Sequence, residues 1–275
     1  MAGRKAILEN YIPSSRNKIL KRGMGGDLTL RIDQVSESAI HSSLKRDLGN
    51  SFIFLSEEIG EVRDSKGGIS SETPVIVCDP LDGSHNAQVG IPFFSLSLSV
   101  IVPESDRAFA NVIAALILSI KTEDEFSGVK NEGAFHNSRL LKPRTNATSD
   151  RVKTLLVETG DIDYLRDKIL PNFSEELIYK TRLLGSAALS YCLLADGSAD
   201  ALIFAQPGGA RTIDSPAGYL ICKEAGCLFL EVSDIASRRR DVDKVEVGFD
   251  SKINILGAQN EHMLTKLASR LGRLP

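Results

Sequence analysis

The amino-acid sequence is poor in cysteine, has no long apolar run and carries no large excess of either charge. No stretch reaches the roughly 18 consecutive apolar residues that an α-helix needs to span a bilayer. Residues 1–20 are charged and interrupted by Pro13, so they lack the apolar core of a secretory signal peptide. These absences predict a cytoplasmic protein without a membrane partner.

The four cysteines are scattered along the chain and form no Cys-x-x-Cys pair: Cys78, Cys192, Cys222 and Cys227. Their neighbours are apolar, which favours reduced thiols in the core over a disulfide or a zinc site. The net charge is −3, from 33 basic and 36 acidic residues that are mixed along the chain. Such a balance predicts no basic surface for nucleic acid, so the expected ligand is a small molecule.

Apolar residues are plentiful enough for a substantial core. They make up 42% of the 275 residues, which suits one large domain or two closely packed ones. The segment 143–150 is polar and rich in structure-breaking residues, and it is the best boundary between two subdomains. We therefore expect an N-terminal α+β subdomain over residues 1–142 and a C-terminal α/β subdomain over residues 143–275.

The hydrophobic pattern predicts helices and strands on both sides of that boundary. Apolar positions in 33–48 have helical spacing, and Gly49 is a stop signal. The alternation of period two in 94–100 is typical of a half-buried antiparallel strand. Further strands are expected at 52–55, 73–78, 112–120, 152–157 and 201–204, and further helices at 185–194, 215–225 and 261–271. Beyond the boundary strands and helices alternate, as in an α/β fold.

The densest chemical signal is Asp79-Pro80-Leu81-Asp82-Gly83-Ser84, which follows an apolar strand. Carboxylates three positions apart can converge on one point there, because Pro80 denies further ladder pairing and the chain then turns. Converging carboxylates repel each other unless a cation neutralises them, and such hard oxygen ligands suit Mg²⁺. An Asx turn followed by a helix cap would explain Asp82 and Ser84 without any metal.

Gly83 and Ser84 lie at the predicted start of a helix. The first N–H groups of a helix are free to bind an anion, and the helix dipole adds to the attraction. A phosphate bound there would lie next to the predicted metal site.

Other acidic residues could join the same site. Glu57 and Glu58 follow a predicted strand as Asp79 follows its own, so both acidic ends meet if the two strands are neighbours. Asp33 begins a predicted helix, and Asp214 precedes Ser-Pro-Ala-Gly, in which the proline suits a first helical turn. A surface loop or helix capping would explain each of these residues taken alone.

In combination these segments resemble the inositol monophosphatase family. That family carries Asp-Pro-x-Asp-Gly-Thr/Ser after a strand, a Glu-Glu pair upstream and an aspartate at a helix start downstream. The matching residues are 79–84, 57–58 and 214–218, and 185–188 (Gly-Ser-Ala-Ala) is a weaker echo. The order and spacing agree from about residue 27 to the C-terminus. The chain departs from the family's usual residues at Ile213, His85 and Ala87.

The resemblance implies a fold, a set of metals and a mechanism. The fold is an α+β one, a layered α/β/α/β/α sandwich of two closely packed subdomains, and the protein is a homodimer. Two or three Mg²⁺ ions would lie in each active site: one held by Glu57, Asp79 and the carbonyl oxygen of Leu81, a second by Asp79, Asp82 and Asp214, and a third, through waters, by Asp33. Glu57 and Ser84 would orient a metal-activated water, Gly83 and Ser84 would bind the phosphate, and Gly185, Ser186 and Ala187 would contact the substrate.

The implied reaction is hydrolysis of a small phosphomonoester, with inositol 1-phosphate and fructose 1,6-bisphosphate as the favoured substrates. Arg211 lies three residues before Asp214, within reach of a substrate group beyond the scissile phosphate. A guanidinium there suits a second phosphate or a pair of hydroxyls. A surface ion pair would explain Arg211 equally well.

Three alternatives remain open at the level of sequence. One is a nucleotidase for 3′-phosphoadenosine phosphate, and another is a catalytically silent protein that binds a sugar phosphate. The third is a phosphatase of the haloacid dehalogenase type, whose nucleophile and acid/base aspartates lie two positions apart. Asp79 and Asp82 lie three positions apart with Pro80 between them, which disfavours that type.

Overall fold

The computed structural model describes residues 2–11, 19–22, 28–63, 70–104, 106–142, 151–232 and 241–271. The α-helices in this part of the chain are α1 Ala2–Asn10, α2 Arg31–Leu48, α3 Ser84–Val89, α4 Ile162–Tyr164, α5 Ala187–Ala195, α6 Pro216–Glu224 and α7 Glu261–Arg270. The strands are β1 Ile19–Arg22, β2 Leu28–Leu30, β3 Ile53–Ser56, β4 Gly60–Arg63, β5 Val75–Asp82, β6 Ser95–Ile101, β7 Val112–Ser119, β8 Glu125–Val129, β9 Gly133–His136, β10 Arg139–Leu140, β11 Val152–Glu158, β12 Ile178–Arg182, β13 Ala201–Phe204, β14 Ala210–Arg211, β15 Leu228–Glu231, β16 Lys252–Ile253 and β17 Ile255–Ala258.

Two large sheets organise these elements. The first has eight strands in the order β10-β9-β8-β7-β6-β5-β3-β4, and its strands pair antiparallel except for the parallel pair β3 and β5. The second has five strands in the order β12-β11-β13-β17-β15, of which β12, β11 and β13 run parallel. Parallel strands end at the same edge of a sheet, so each sheet has one edge where several carboxyl ends meet.

Helices and sheets alternate in five layers, held together by three apolar clusters. Side chains of α1 and α2, including Ile7 and Ile40, pack on one face of the eight-stranded sheet. Helices α5 and α6 lie between the two sheets, where Tyr191 and Ile221 belong to the largest cluster. Helix α7 covers the outer face of the five-stranded sheet with Leu264 and Leu267. This is the predicted α/β/α/β/α sandwich, and the α+β fold class is confirmed.

Most predicted elements are present within a few residues of the predicted bounds. Helix α2 begins two residues earlier than predicted, and Gly49 ends it in a left-handed conformation with φ of +70°. Strand 201–204 has the predicted bounds. The four cysteines are buried free thiols, as the sequence predicts.

Two predictions about strands are wrong. Strand β6 is not half-buried, because Ser95 and Ser99 are buried as fully as Leu96. The serine-bearing face is covered by α5 and α6 from the C-terminal half of the chain, and this long-range packing is invisible in a local alternation. Strand β5 does not end before Asp79 but continues through Pro80 to Asp82, because its pairing with β6 resumes after an irregularity.

The predicted subdomain boundary at 143–150 lies outside the described residues. The division into 1–142 and 143–275 therefore remains a proposal, although the eight-stranded sheet is built from residues before it and the five-stranded sheet from residues after it. None of the helices in the described part of the chain combines the length and apolar character of a bilayer-spanning segment.

Candidate active site

The acidic ends of β3 and β5 lie side by side. The two strands pair in parallel with Ser56 opposite Cys78, so the chain reaches Glu57 and Asp79 at the same level of the sheet. The backbone N–H of Glu57 still points at the carbonyl oxygen of Cys78, at 3.4 Å. The predicted meeting of these two acidic ends is confirmed.

A bulge in β5 places Asp79 and Asp82 on one face of the sheet. Asp79 is opposite Ser97 of β6, and Asp82 is opposite Ser95, so three steps along β5 match two steps along β6. Residues two apart in a strand share a face, and the extra residue of a bulge lets residues three apart do the same. The Oδ1 atom of Asp79 accepts the backbone N–H of Leu81 at 2.9 Å, which stabilises the bend.

The chain then turns at Gly83 into the six-residue helix α3, which begins at Ser84. Gly83 has φ of +85°, and a Cβ atom there would lie 3.1 Å from the carbonyl oxygens of Gly185 and Phe93. Only glycine adopts this positive φ and leaves room for the two carbonyl oxygens without strain. The hydroxyl of Ser84 donates to the carbonyl oxygen of Leu81 at 2.8 Å, so two of the predicted site groups contact each other.

Asp82 is held by the beginning of α5, which belongs to the other half of the chain. Its Oδ1 atom accepts the backbone N–H of Ala187 at 3.1 Å, and its Oδ2 atom accepts that of Ala188 at 3.1 Å. The hydroxyls of Ser186 and Ser95 also donate to Oδ2. A carboxylate at a helix N-terminus is stabilised by the exposed N–H groups and the helix dipole. This contact brings predicted metal and substrate residues together.

These residues surround a cavity of about 470 Å³. Nearly all predicted site residues line it: Glu57, Asp79, Leu81, Asp82, Gly83, Ser84, Gly185, Ala187, Arg211 and Asp214. Ser186 is not among the lining residues, because it is buried and its hydroxyl is directed at Asp82. Asp33 is also buried, in the first turn of α2, and does not line the cavity, so its predicted role through waters stays a prediction.

The carboxylates of the cavity raise one another's proton affinity. The pKa of Asp79 is raised well above its usual value, first by burial and then by the negative charges of Glu57, Asp82 and Asp214. Burial also raises the pKa of Asp82, although its bonds to Ser186, Ala188 and Ala187 act in the opposite direction. A bound divalent cation would relieve this repulsion, so the set of carboxylate donors fits a hard metal ion.

The carboxylates line one cavity without gathering around a single point. Among the described residues, no three His, Cys, Asp or Glu side chains are grouped closely enough to hold a metal ion directly. Two of the four predicted carboxylate ligands contact a guanidinium: Arg211 donates from Nη2 to Oε1 of Glu57, and its Nε lies 3.5 Å from Oδ2 of Asp214. The surface ion pair proposed for Arg211 is thus formed within the site.

Sequence reasoning missed a wall of the cavity formed by the ends of β11 and β13. Glu158 is the last residue of β11, Thr159 and Gly160 follow it, and Gln206 lies just beyond β13, the parallel neighbour of β11. Glu158 accepts the hydroxyl of Ser190 at 2.5 Å and the backbone N–H of Gly185 at 3.1 Å. Burial raises its pKa to about 7, and the charge of Asp82 adds to the rise. The available signal was a carboxylate directly after the strand predicted at 152–157.

A family comparison explains the arrangement. A model described as the inositol monophosphatase family matches residues 3–270. The chain belongs to the inositol monophosphatase family. The family's enzymes are metal-dependent phosphatases, and this chain is a phosphatase of that class.

Individual relatives cover nearly the whole chain. The fructose-1,6-bisphosphatase of Pyrococcus furiosus is 33% identical over 257 residues, which is 92% of this chain and 87% of that protein. The fructose-1,6-bisphosphatase/inositol-1-monophosphatase of Methanocaldococcus jannaschii is 28% identical over 261 residues, 94% of this chain and 91% of that protein. A solved inositol monophosphatase–fructose 1,6-bisphosphatase matches with a TM-score of 0.77 at 25% identity, over 98% of this chain and 94% of that one.

Each of the three departures from the family's usual residues has a defined place in the fold. Ile213 is buried in the cluster between the two sheets and contributes packing there. His85 lines the cavity beside Ser84, where it can meet a substrate. Ala87 is fully buried in the cluster under α1 and α2.

Proposed function

We propose that this phosphatase uses Mg²⁺ to hydrolyse a small phosphomonoester, with inositol 1-phosphate and fructose 1,6-bisphosphate as substrates. The observation that carries the proposal is the convergence of Glu57, Asp79, Asp82 and Asp214 on one cavity beside the start of α3. Mutually repelling carboxylates next to free helix N–H groups suit a metal ion and a phosphate together. The names of the relatives support the two substrates.

The predicted ligands divide between two or three Mg²⁺ ions. Glu57, Asp79 and the carbonyl oxygen of Leu81 would hold one, and Asp79, Asp82 and Asp214 would hold a second, with Asp33 acting through waters on a third. Bound Mg²⁺ would lower the pKa of a water molecule and stabilise the leaving alkoxide.

The protein's own groups would place the reactants. The N–H groups at Gly83 and Ser84 would bind the phosphate, as the first turn of a helix has no internal partners for them. Glu57 would accept a hydrogen bond from the attacking water, and the hydroxyl of Ser84 would orient the same water. Gly185 and Ala187 border the substrate side of the cavity. Positioning and charge neutralisation then supply most of the rate enhancement.

The cavity suits a compact polar substrate. Its volume lies within the range of about 300–1,000 Å³ that is usual for small-molecule sites. Thr159 and Gln206 offer a hydroxyl and an amide for hydroxyl groups of the substrate, and Arg211 offers a cation. We further propose that the enzyme is a cytoplasmic homodimer and that neither nucleic acid nor membrane is a partner.

The decisive experiment is a phosphate-release screen over a panel of phosphomonoesters, with and without Mg²⁺. We expect release from inositol 1-phosphate and fructose 1,6-bisphosphate that depends on Mg²⁺. The panel includes 3′-phosphoadenosine phosphate, and preferred cleavage of that compound would move the protein to the nucleotidase alternative. Binding of the same esters without any release would point to a catalytically silent protein.

A further inference from the structure

Arg211 bridges two carboxylates that come from different parts of the chain. Its guanidinium contacts Glu57, at the end of β3, and Asp214, before α6. The side chains of Arg211, Glu57 and Asp214 are only 20%, 15% and 17% exposed. An ion pair this well shielded from solvent is stronger than an exposed one, because water screens it less.

The backbone of Arg211 is held in place by strand pairing and by the hydrogen bonds of the next residue. Strand β14 pairs with β16, with Arg211 opposite Lys252. The next residue, Thr212, is fully buried. Its backbone N–H donates to the carbonyl oxygen of Ser251, and its hydroxyl donates to the carbonyl oxygen of Gly248. Any movement of the guanidinium must therefore come from rotation of the side chain.

The bridge competes with a metal for the same oxygens. Glu57 and Asp214 are the proposed ligands of two different Mg²⁺ ions, and both face the guanidinium in this structure. Arginine keeps its charge at every physiological pH, so it cannot yield its place by losing a proton. A guanidinium and a divalent cation in contact with the same carboxylates would repel each other.

We propose that Arg211 is a resident cation of the metal-free enzyme, which neutralises Glu57 and Asp214 and rotates away when Mg²⁺ enters. The inference rests on the proposed function, because that function makes Glu57 and Asp214 metal ligands. Arg211 is thus a positioning residue: it keeps the two carboxylates facing each other before the metal arrives. The displaced guanidinium remains at the cavity, where it can meet an anionic substrate, so metal binding precedes tight anion binding.

The direct test observes the guanidinium itself. In metal-free protein labelled with ¹⁵N-arginine, the Nε–Hε signal of Arg211 is assigned by its loss in Arg211→Lys. Titration with MgCl₂ should shift that signal or abolish it by exchange with water, while NaCl at equal ionic strength should not. An unchanged signal in protein that has bound Mg²⁺ overturns the displacement.

The second test measures affinity for Mg²⁺ by calorimetry. Arg211→Gln removes the charge and the competing bond, so Mg²⁺ should bind roughly 10- to 150-fold more tightly than to the wild type. Arg107→Gln is the matched control, because Arg107 forms a similarly shielded pair with Glu61 of β4, away from the cavity, and it should leave the affinity unchanged. Equal or weaker binding by folded Arg211→Gln overturns the proposal.

The two tests separate failure of this inference from failure of the proposed function. If wild-type protein binds no Mg²⁺ at millimolar concentration, the proposed metal site is wrong, and the inference falls with it. If Mg²⁺ binds but either the Arg211 signal stays unchanged or the folded glutamine variant binds Mg²⁺ no more tightly, only the inference is wrong. Should Arg211→Gln fail to fold, the wild-type titration still decides.

Discussion

The hydroxyl of Ser186 donates a hydrogen bond to the carboxylate of Asp82, which lies 104 positions earlier in the chain. The backbone N–H groups of Ala187 and Ala188 bind the same carboxylate. Asp82 therefore has two tasks, as a proposed metal ligand and as the group that fixes the start of α5 against the eight-stranded sheet. A change at Asp82 should affect both activity and stability.

Asp82→Asn should remove nearly all turnover. Loss of one charged ligand should cost about 3–4 kcal/mol of barrier, comparable to loss of other single electrostatic groups, or about 10²- to 10³-fold in kcat. Steady-state phosphate release measures this. A variant that keeps half of its activity would show that Asp82 serves the turn and the helix cap only.

The same variant should also be slightly less stable. Both oxygens of Asp82 accept N–H groups, so the amide NH₂ of asparagine must face one of these donors. One unsatisfied donor costs about 1–3 kcal/mol, which thermal unfolding in the presence of chelator would detect. Asp196→Asn, at the far end of α5, is the control and should leave both the melting temperature and the activity unchanged.

Chelation should abolish activity, and Mg²⁺ should restore it. Arg211 neutralises only Glu57 and Asp214, so the repulsion between Asp79 and Asp82 remains without a metal ion. A guanidinium also cannot activate a water molecule as a metal ion does. Added Mg²⁺ should also raise the melting temperature, because a ligand that binds only the folded state stabilises it. Full turnover in excess chelator would contradict the metal-dependent mechanism.

No covalent phosphoenzyme should form during turnover. Water is the proposed nucleophile, and the Oδ1 atom of Asp79 already accepts the N–H of Leu81 within the bulge. Rapid quenching with labelled substrate, followed by mass spectrometry of the peptide that contains Asp79, would detect an acyl phosphate. Its accumulation would place the chemistry with the haloacid dehalogenase type instead.

Arg211→Ala should weaken the use of fructose 1,6-bisphosphate more than that of inositol 1-phosphate. Only the bisphosphate has a second phosphate for the released guanidinium, and one charge-assisted bond contributes about 1.5–3 kcal/mol, or about 10- to 150-fold in KM. Loss of the bridge to Glu57 and Asp214 affects both substrates alike. The measurement is therefore the change in KM for fructose 1,6-bisphosphate divided by the change in KM for inositol 1-phosphate. A ratio near one would leave the second phosphate without a named partner.

Glu158→Gln should change the pH dependence of stability. The folded-state pKa of Glu158 is raised from 4.5 to about 7, chiefly by burial. Between these pH values the folded protein retains a proton that the unfolded chain has lost, so the contribution of Glu158 to stability falls as the pH rises. The accumulated loss is about 3 kcal/mol above pH 7.

Glutamine mimics the protonated carboxyl group, and its oxygen can still accept the N–H of Gly185. The variant should therefore match the wild type near pH 5 and exceed its stability by up to about 3 kcal/mol at pH 8. Urea unfolding in the presence of chelator measures the difference in stability. Glu224→Gln is the control, because the carboxylate of Glu224 binds the N–H groups of Asn131 and Gly133 near the surface. A constant difference across this range would mean that Glu158 titrates normally.

The local sequence determined which groups the site contains. Neighbouring residues are enough to predict a strand, a turn or a type of metal ligand. They therefore predict the apolar strand that leads to Asp79, the turn at Gly83 and the glutamate pair at 57–58. The sequence predicted that the acidic ends of β3 and β5 meet if the two strands are neighbours, but it did not predict that they are. That prediction needed the sheet order, which no short segment contains.

The tertiary structure alone decided how these groups meet. The bulge that turns Asp79 and Asp82 to one face depends on the register with β6. The segment before α5 is bonded to both sheets, through Ser186 to Asp82 and through Gly185 to Glu158. The pairing of Arg211 with Glu57 spans 154 positions. Such contacts are selected by the packing of the whole chain, since local patterns specify the elements but not which of their ends become neighbours.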